Sequence, residues 1–252
     1  MINRCRYTDV ETYRALFRDV SGEKAVGEAS TLYLYSEKAP ERIYHRVPEA
    51  KLITVLRNPV ERAYSAFWFM VRDSREPLTD FGRALAEEDG RIVANWGPEY
   101  HYRRRGFYHS QLERYFERFG RDQVRVYLYD DLKSDPTGVA RDIFRFLEVD
   151  ESFAPDMSRE HNVSGVPKSK MLQPLYLFLR KSNPLKSALK PLLPAKLRHR
   201  LHARAIESVQ SRNLARPPGM SPELRRELVE TYREDILRLQ DLIQRDLSGW
   251  LE

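Results

Sequence analysis

Two short stretches of this chain are almost wholly apolar, KLITVL at residues 51–56 and VRVYLY at residues 124–129. Runs of this length without polar alternation predict strands covered on both faces, as in a parallel sheet. A weaker run, KAVGE at residues 24–28, predicts a third strand ending at Glu28. Between and after the strands the apolar period lengthens to that of a helix. Residues 60–72 follow the second strand, with Asn58 placed to cap the helix and Pro59 suited to its first position. Residues 110–119 carry Leu112, Tyr115, Phe116 and Phe119 at helical spacing, and Gly120 follows as a stop. Asp135-Pro136 opens a further helix through Leu147, with Ile143, Phe144 and Leu147 on one face. Residues 221–252 predict one long amphipathic helix, buried along Leu224, Leu228, Tyr232, Ile236, Leu239 and Ile243. Strands alternating with helices predict a βαβ architecture. With no internal repeat and no evident linker, residues 1–252 read as one domain.

Composition sharpens this picture in one place. The net charge is +6, from 43 Lys and Arg against 37 Asp and Glu. Residues 161–206 hold no acid and 10 Lys or Arg, so the rest of the chain has 33 basic against 37 acidic groups, a balance of −4. Five prolines (Pro167, Pro174, Pro184, Pro191 and Pro194) break the same segment into short pieces. It reads as a basic, irregular cover that steers anions toward one part of the surface. Cys5 is the single cysteine, so no internal disulfide forms, and no zinc-ligand spacing occurs. No apolar run reaches the roughly 20 residues of a membrane span, and the opening residues do not resemble a secretory leader. The expected location is the cytoplasm.

The densest chemical signal is KLITVLRNPVERAYS, residues 51–65. It places Arg57 at the carboxyl end of a strand, a capped helix start after it, and the Ser65 hydroxyl two turns in. Ligands of open α/β sheets bind at the carboxyl ends of strands, and a helix start offers free N–H groups. Arg57 adds a planar charged fork suited to phosphate oxygens. The same residues also fit a bland reading, in which Arg57 pairs with a surface carboxylate and Ser65 faces solvent. Glu28, at the end of the first predicted strand, is either a base or a solvated strand-end acid. Two further patterns compete with these. Residues 126–131 form an apolar strand ending in Asp130 and Asp131, like the metal-binding strand of P-loop nucleoside triphosphatases, yet no G-x-x-x-x-G-K-[ST] sequence is present. YHYRRRGFYH, residues 100–109, could stack on single-stranded nucleic acid, but such a run more often turns its aromatics inward.

Residues 51–65, with Gly27-Glu28-Ala29-Ser30, Tyr129-Asp130-Asp131-Leu132 and residues 162–170 (NVSGVPKSK), resemble the motifs of sulfotransferases that use PAPS (3′-phosphoadenosine 5′-phosphosulfate). The likeness is to the heparan-sulfate-type enzymes and their bacterial relatives. It implies an α/β, P-loop-NTPase-like three-layer fold, a parallel sheet flanked by helices. It also implies that the first strand and the phosphate loop of that fold are missing from these residues, because no Gly-Thr-Thr-type loop occurs. By the same resemblance Arg57 and Ser65 hold the 3′-phosphate of PAPS, and Glu28 is the catalytic base. Tyr129 contacts the adenine side or is a core aromatic. Lys168 and Lys170 close over the cofactor or are solvated loop lysines. The implied reaction transfers a sulfuryl group, without a metal, to a hydroxyl or amine of a small-molecule or carbohydrate acceptor. Ala29 stands where the heparan-sulfate-type enzymes carry Lys, so their acceptor contacts are not transferred. The competing class is a non-catalytic module that binds a nucleotide or polyanion; nucleic acid is not expected as a partner.

Overall fold

The computed structural model of the protein describes residues 9–157, 165–167 and 214–252. Two parallel strands, β1 (Leu52–Leu56) and β2 (Val124–Leu128), pair in register from Leu52↔Val124 to Leu56↔Leu128. Parallel strands need a crossover, and the intervening chain supplies it: α3 (Pro59–Arg72), α4 (Phe81–Ala86), α5 (Glu88–Val93) and α6 (Tyr108–Phe119). Two shorter helices, α1 (Val10–Arg14) and α2 (Ala39–Arg46), precede β1. After β2 come α7 (Tyr129–Ser134) and α8 (Pro136–Phe146). A small antiparallel pair, β3 (Val166–Pro167) with β4 (Leu214–Ala215), leads to the long closing helix α9 (Pro222–Ile243).

The core lies where α3, α6 and α9 meet one face of the sheet. Val60, Ala63, Phe67 and Met70 from α3, Leu112 from α6, and Leu228, Tyr232, Ile236 and Leu239 from α9 are buried together with Leu56 and Leu128. Helix α8 reaches the opposite face, where the Tyr127 hydroxyl donates to Asp142 and Arg125 lies over the Phe146 ring. Local chemistry sets the helix starts. The Asn58 side chain accepts from the N–H groups of Val60 and Glu61 at 3.0 and 3.4 Å, and Asp135 accepts from Gly138 N–H at 2.8 Å. Gly120 ends α6 at φ +76°, a conformation that favours glycine.

Two expectations are corrected. Residues 24–28 form no strand: they run as exposed coil, with Val26 51% exposed. The pattern there is thin (Ala25 and Val26 before Gly27), and among the described residues β1 pairs only with β2, so no ladder holds it. The closing helix stops at Ile243 rather than running to Glu252, because Gln244 turns left-handed at φ +53°. That turn folds Leu247 and Trp250 back into the core, and the Trp250 ring meets Tyr108 edge-on. A straight helix would carry both side chains past the body and leave them in water.

Candidate functional site

Arg57 leaves the carboxyl end of β1 and its guanidinium lies over the Tyr129 ring, 5.1 Å from the centroid. The junctions of both strands thus come together: Tyr129 opens α7 directly after β2. The residue is 37% exposed, so it is no core aromatic, and its ring also carries Lys133 Nζ at 4.7 Å. The Arg57 carbonyl accepts from the buried Tyr108 hydroxyl at 3.0 Å, which ties this corner to α6. Arg57 has a carboxylate neighbour too, since its Nη2 lies 3.7 Å from Glu61 Oε2. Glu61 in turn pairs with Arg225 of α9 at 2.5 Å. Ser65, half-buried, sits one turn beyond Glu61 on the same side of α3.

Glu28 reaches its place without a strand. It is exposed, and its Oε1 accepts a hydrogen bond from the Tyr33 hydroxyl. Burial, and next the hydrogen bond to Glu28, push the Tyr33 phenol well above its ordinary range, so it stays a donor at neutral pH. Tyr13 is raised as well, by burial and then by the charge of Glu28. The segment carrying Tyr33 is fastened by its backbone carbonyls. Thr31 O accepts from Arg105 at 2.8 Å, Tyr33 O from the Tyr115 hydroxyl at 2.7 Å, and Leu34 O from Arg114 at 3.4 Å. The Tyr35 hydroxyl adds a bond to His101 Nδ1 at 2.9 Å; burial holds that imidazole below 6.5, so at neutral pH it is uncharged and Nδ1 can accept.

Arg105 is notable among these anchors. Burial, reinforced by the nearby charge of Arg62, lowers it to about 10. It remains a cation at neutral pH beside a second cation. Gly106, the next residue, passes so close to Tyr232 that a Cβ there would lie 2.8 Å from the ring. The contact lets the Tyr232 hydroxyl donate to Arg103 O at 2.8 Å and fixes the turn that aims Arg105. In the same stretch Tyr102 and Tyr108 are buried, and Arg103 and Arg104 pair with Asp89. No ring of Tyr102 or Tyr108 is left for a nucleic-acid base to stack on. Asp131 is likewise engaged, by Arg245 at 2.9 Å and Leu128 N–H at 2.9 Å.

The structure therefore joins Arg57 with Tyr129 and places Ser65 along the helix that follows Arg57. It gives Glu28 a partner, Tyr33, on a separate segment. Lys168, Lys170 and all of the basic cover except residues 165–167 lie outside the described residues. Three residues escaped the sequence reading. Tyr33 and Glu61 were within its reach, five residues after Glu28 and four after Arg57. Arg225 was not, because nothing local links it to Glu61.

A parallel α/β layer flanked by helices, with an Arg fork at the carboxyl end of a strand, puts a cationic side chain where open α/β sheets take their ligands. A family model described as "Sulfotransferase domain" matches residues 34–171, more than half of the chain, and the protein belongs to that family. A crystal structure of a sulfotransferase from Alicyclobacillus acidocaldarius superposes with a TM-score of 0.71 at 35% identity, covering 97% of this chain and 75% of that one. The bifunctional heparan sulfate N-deacetylase/N-sulfotransferase 1 of Xenopus tropicalis is 31% identical over 131 residues, 48% of this chain and 14% of that protein. The heparan sulfate glucosamine 3-O-sulfotransferase 6 of Mus musculus is 29% identical over 147 residues, 58% of this chain and 41% of that protein. The chain thus spans well under half the length of these two relatives. Among the described residues no helix is long and apolar enough to cross a membrane.

Proposed function

We propose that the protein transfers a sulfuryl group from PAPS to a hydroxyl or amine, with a carbohydrate as the favoured acceptor class. The observation that carries this reading is Arg57, stacked on Tyr129 at the strand end, inside the segment matched to the sulfotransferase family. In the proposed reaction Arg57 and Ser65 bind the 3′-phosphate, and Tyr129 borders the adenine side with its exposed edge. Lys168 and Lys170 cover the nucleotide. Glu28 takes the acceptor proton as the acceptor oxygen or nitrogen bonds to sulfur. The bond from sulfur to the 5′-phosphate oxygen breaks, and adenosine 3′,5′-bisphosphate (PAP) leaves. The proposed reaction requires no metal. The carbohydrate acceptor is inferred from the heparan sulfate relatives. The 1–252 chain as one domain and a cytoplasmic location rest on sequence pattern and the single Cys5. The test is transfer of labelled sulfate from PAPS to a panel of amino and hydroxyl sugars, using a form of the protein that turns over. Label on at least one acceptor, with stoichiometric PAP, is expected; PAP binding without transfer to any acceptor would favour a non-catalytic binding module.

A further inference from the structure

Glu61 bridges two guanidiniums that are far apart in the chain. Its Oε2 lies 3.7 Å from Arg57 Nη2, and its Oε1 lies 2.5 Å from Arg225 Nη1. Arg225 stands in the first turn of α9, and three contacts fix that turn, one of them to α3. Ser221 caps the helix by accepting from Leu224 N–H at 3.2 Å, the Tyr64 hydroxyl donates to Pro218 O, and Leu224 packs on the core. The guanidinium of Arg225 is thereby held against Glu61 of α3.

A phosphate monoester carries roughly 1.5 to 2 negative charges at neutral pH. Arg57 alone supplies one positive charge, and Glu61 offsets part of it. Arg225 restores the balance: the three side chains sum to one net positive charge. Arg has five N–H donors, and among the described residues the only hydrogen-bond partner of the Arg225 side chain is Glu61. One edge of the fork can stay on Glu61 while the other meets an oxyanion. We propose that Arg225 is a third residue of the 3′-phosphate subsite, oriented toward it by Glu61. The proposal rests on the assignment of Arg57 and Ser65 to that phosphate.

Titration calorimetry on the full chain tests it, with PAP and adenosine 5′-phosphate as paired probes, because only the first carries a 3′-phosphate. Arg225→Ala should weaken PAP by about tenfold and leave adenosine 5′-phosphate unchanged. Arg225→Lys should fall between the two, since it keeps the charge and loses the fork. Should the Ala variant melt earlier than the parent, Arg225→Gln, closer in length, replaces it. If Arg57→Ala discriminates between the probes and Arg225→Ala does not, the proposal is overturned while the Arg57 assignment stands. If neither variant discriminates, the subsite itself is misassigned, and the proposal falls with it.

Discussion

The guanidinium of Arg57 rests on the ring of Tyr129, so the ends of the two parallel strands are joined by one cation–π contact of 5.1 Å. The contact positions the guanidinium before any ligand arrives, which lowers the ordering cost of phosphate binding. Arg57→Ala should weaken PAP by about 1.5–3 kcal/mol while a nucleotide without the 3′-phosphate changes little. Tyr129→Leu keeps apolar bulk and removes the ring, and should cost PAP about two- to fivefold. Equal losses for both nucleotides would point to general destabilisation of the corner instead.

The Tyr33 hydroxyl donates to Glu28, and the Tyr33 carbonyl is itself tied to Tyr115. Tyr33→Phe preserves the ring and deletes only that donor. Turnover should fall about tenfold with PAP affinity unchanged, because the effect is on the orientation of the base. Combined with Glu28→Gln, the second substitution should add nothing. Additive losses in the double variant would separate Tyr33 from Glu28.

Gly106 lies against the buried Tyr232, and Gly106→Ala must push that ring or the turn aside. Overpacking of this kind costs about 1–3 kcal/mol. The denaturation midpoint should drop accordingly. Since the same turn aims Arg105 at Thr31 O, turnover should fall more than PAP affinity does. A variant as stable as the parent would mean that the turn yields freely.

His101 gives a pH signature. Burial lowers the pKa of its imidazole in the folded chain, so as pH falls through the ordinary histidine range the unfolded chain takes up a proton that the folded chain resists. Stability contributed by the neutral imidazole is complete above about 6.5 and is lost as pH falls through the folded value. Denaturant midpoints should therefore decline from pH 7.5 toward 5, and His101→Gln should remove part of that slope. Parallel curves for parent and variant would contradict the assignment.

Legibility followed the range of each signal. The cap at Asn58-Pro59, the start at Asp135-Pro136 and the stop at Gly120 are short-range chemistry, and α3, α8 and α6 lie where those residues put them. Residues 24–28 failed as a strand because strand formation depends on a partner that the local pattern does not specify. The end of α9 was hidden because Gln244 turns left-handed without a Gly or Pro to announce it. At the site, residue type and motif singled out Arg57, Ser65 and Glu28 as candidates. The stacking of Arg57 on Tyr129, and the reach of Arg225 to Glu61, depend on long-range packing and were not.

The central claim is sulfuryl transfer with Glu28 as base, and one substitution addresses it most directly. Glu28→Gln keeps the shape and removes the proton acceptor. In a form of the enzyme that turns over PAPS, labelled-sulfate transfer should drop by roughly a hundredfold or more, while PAP affinity stays within about twofold. A Gln variant that transfers sulfate at the parental rate would contradict the account.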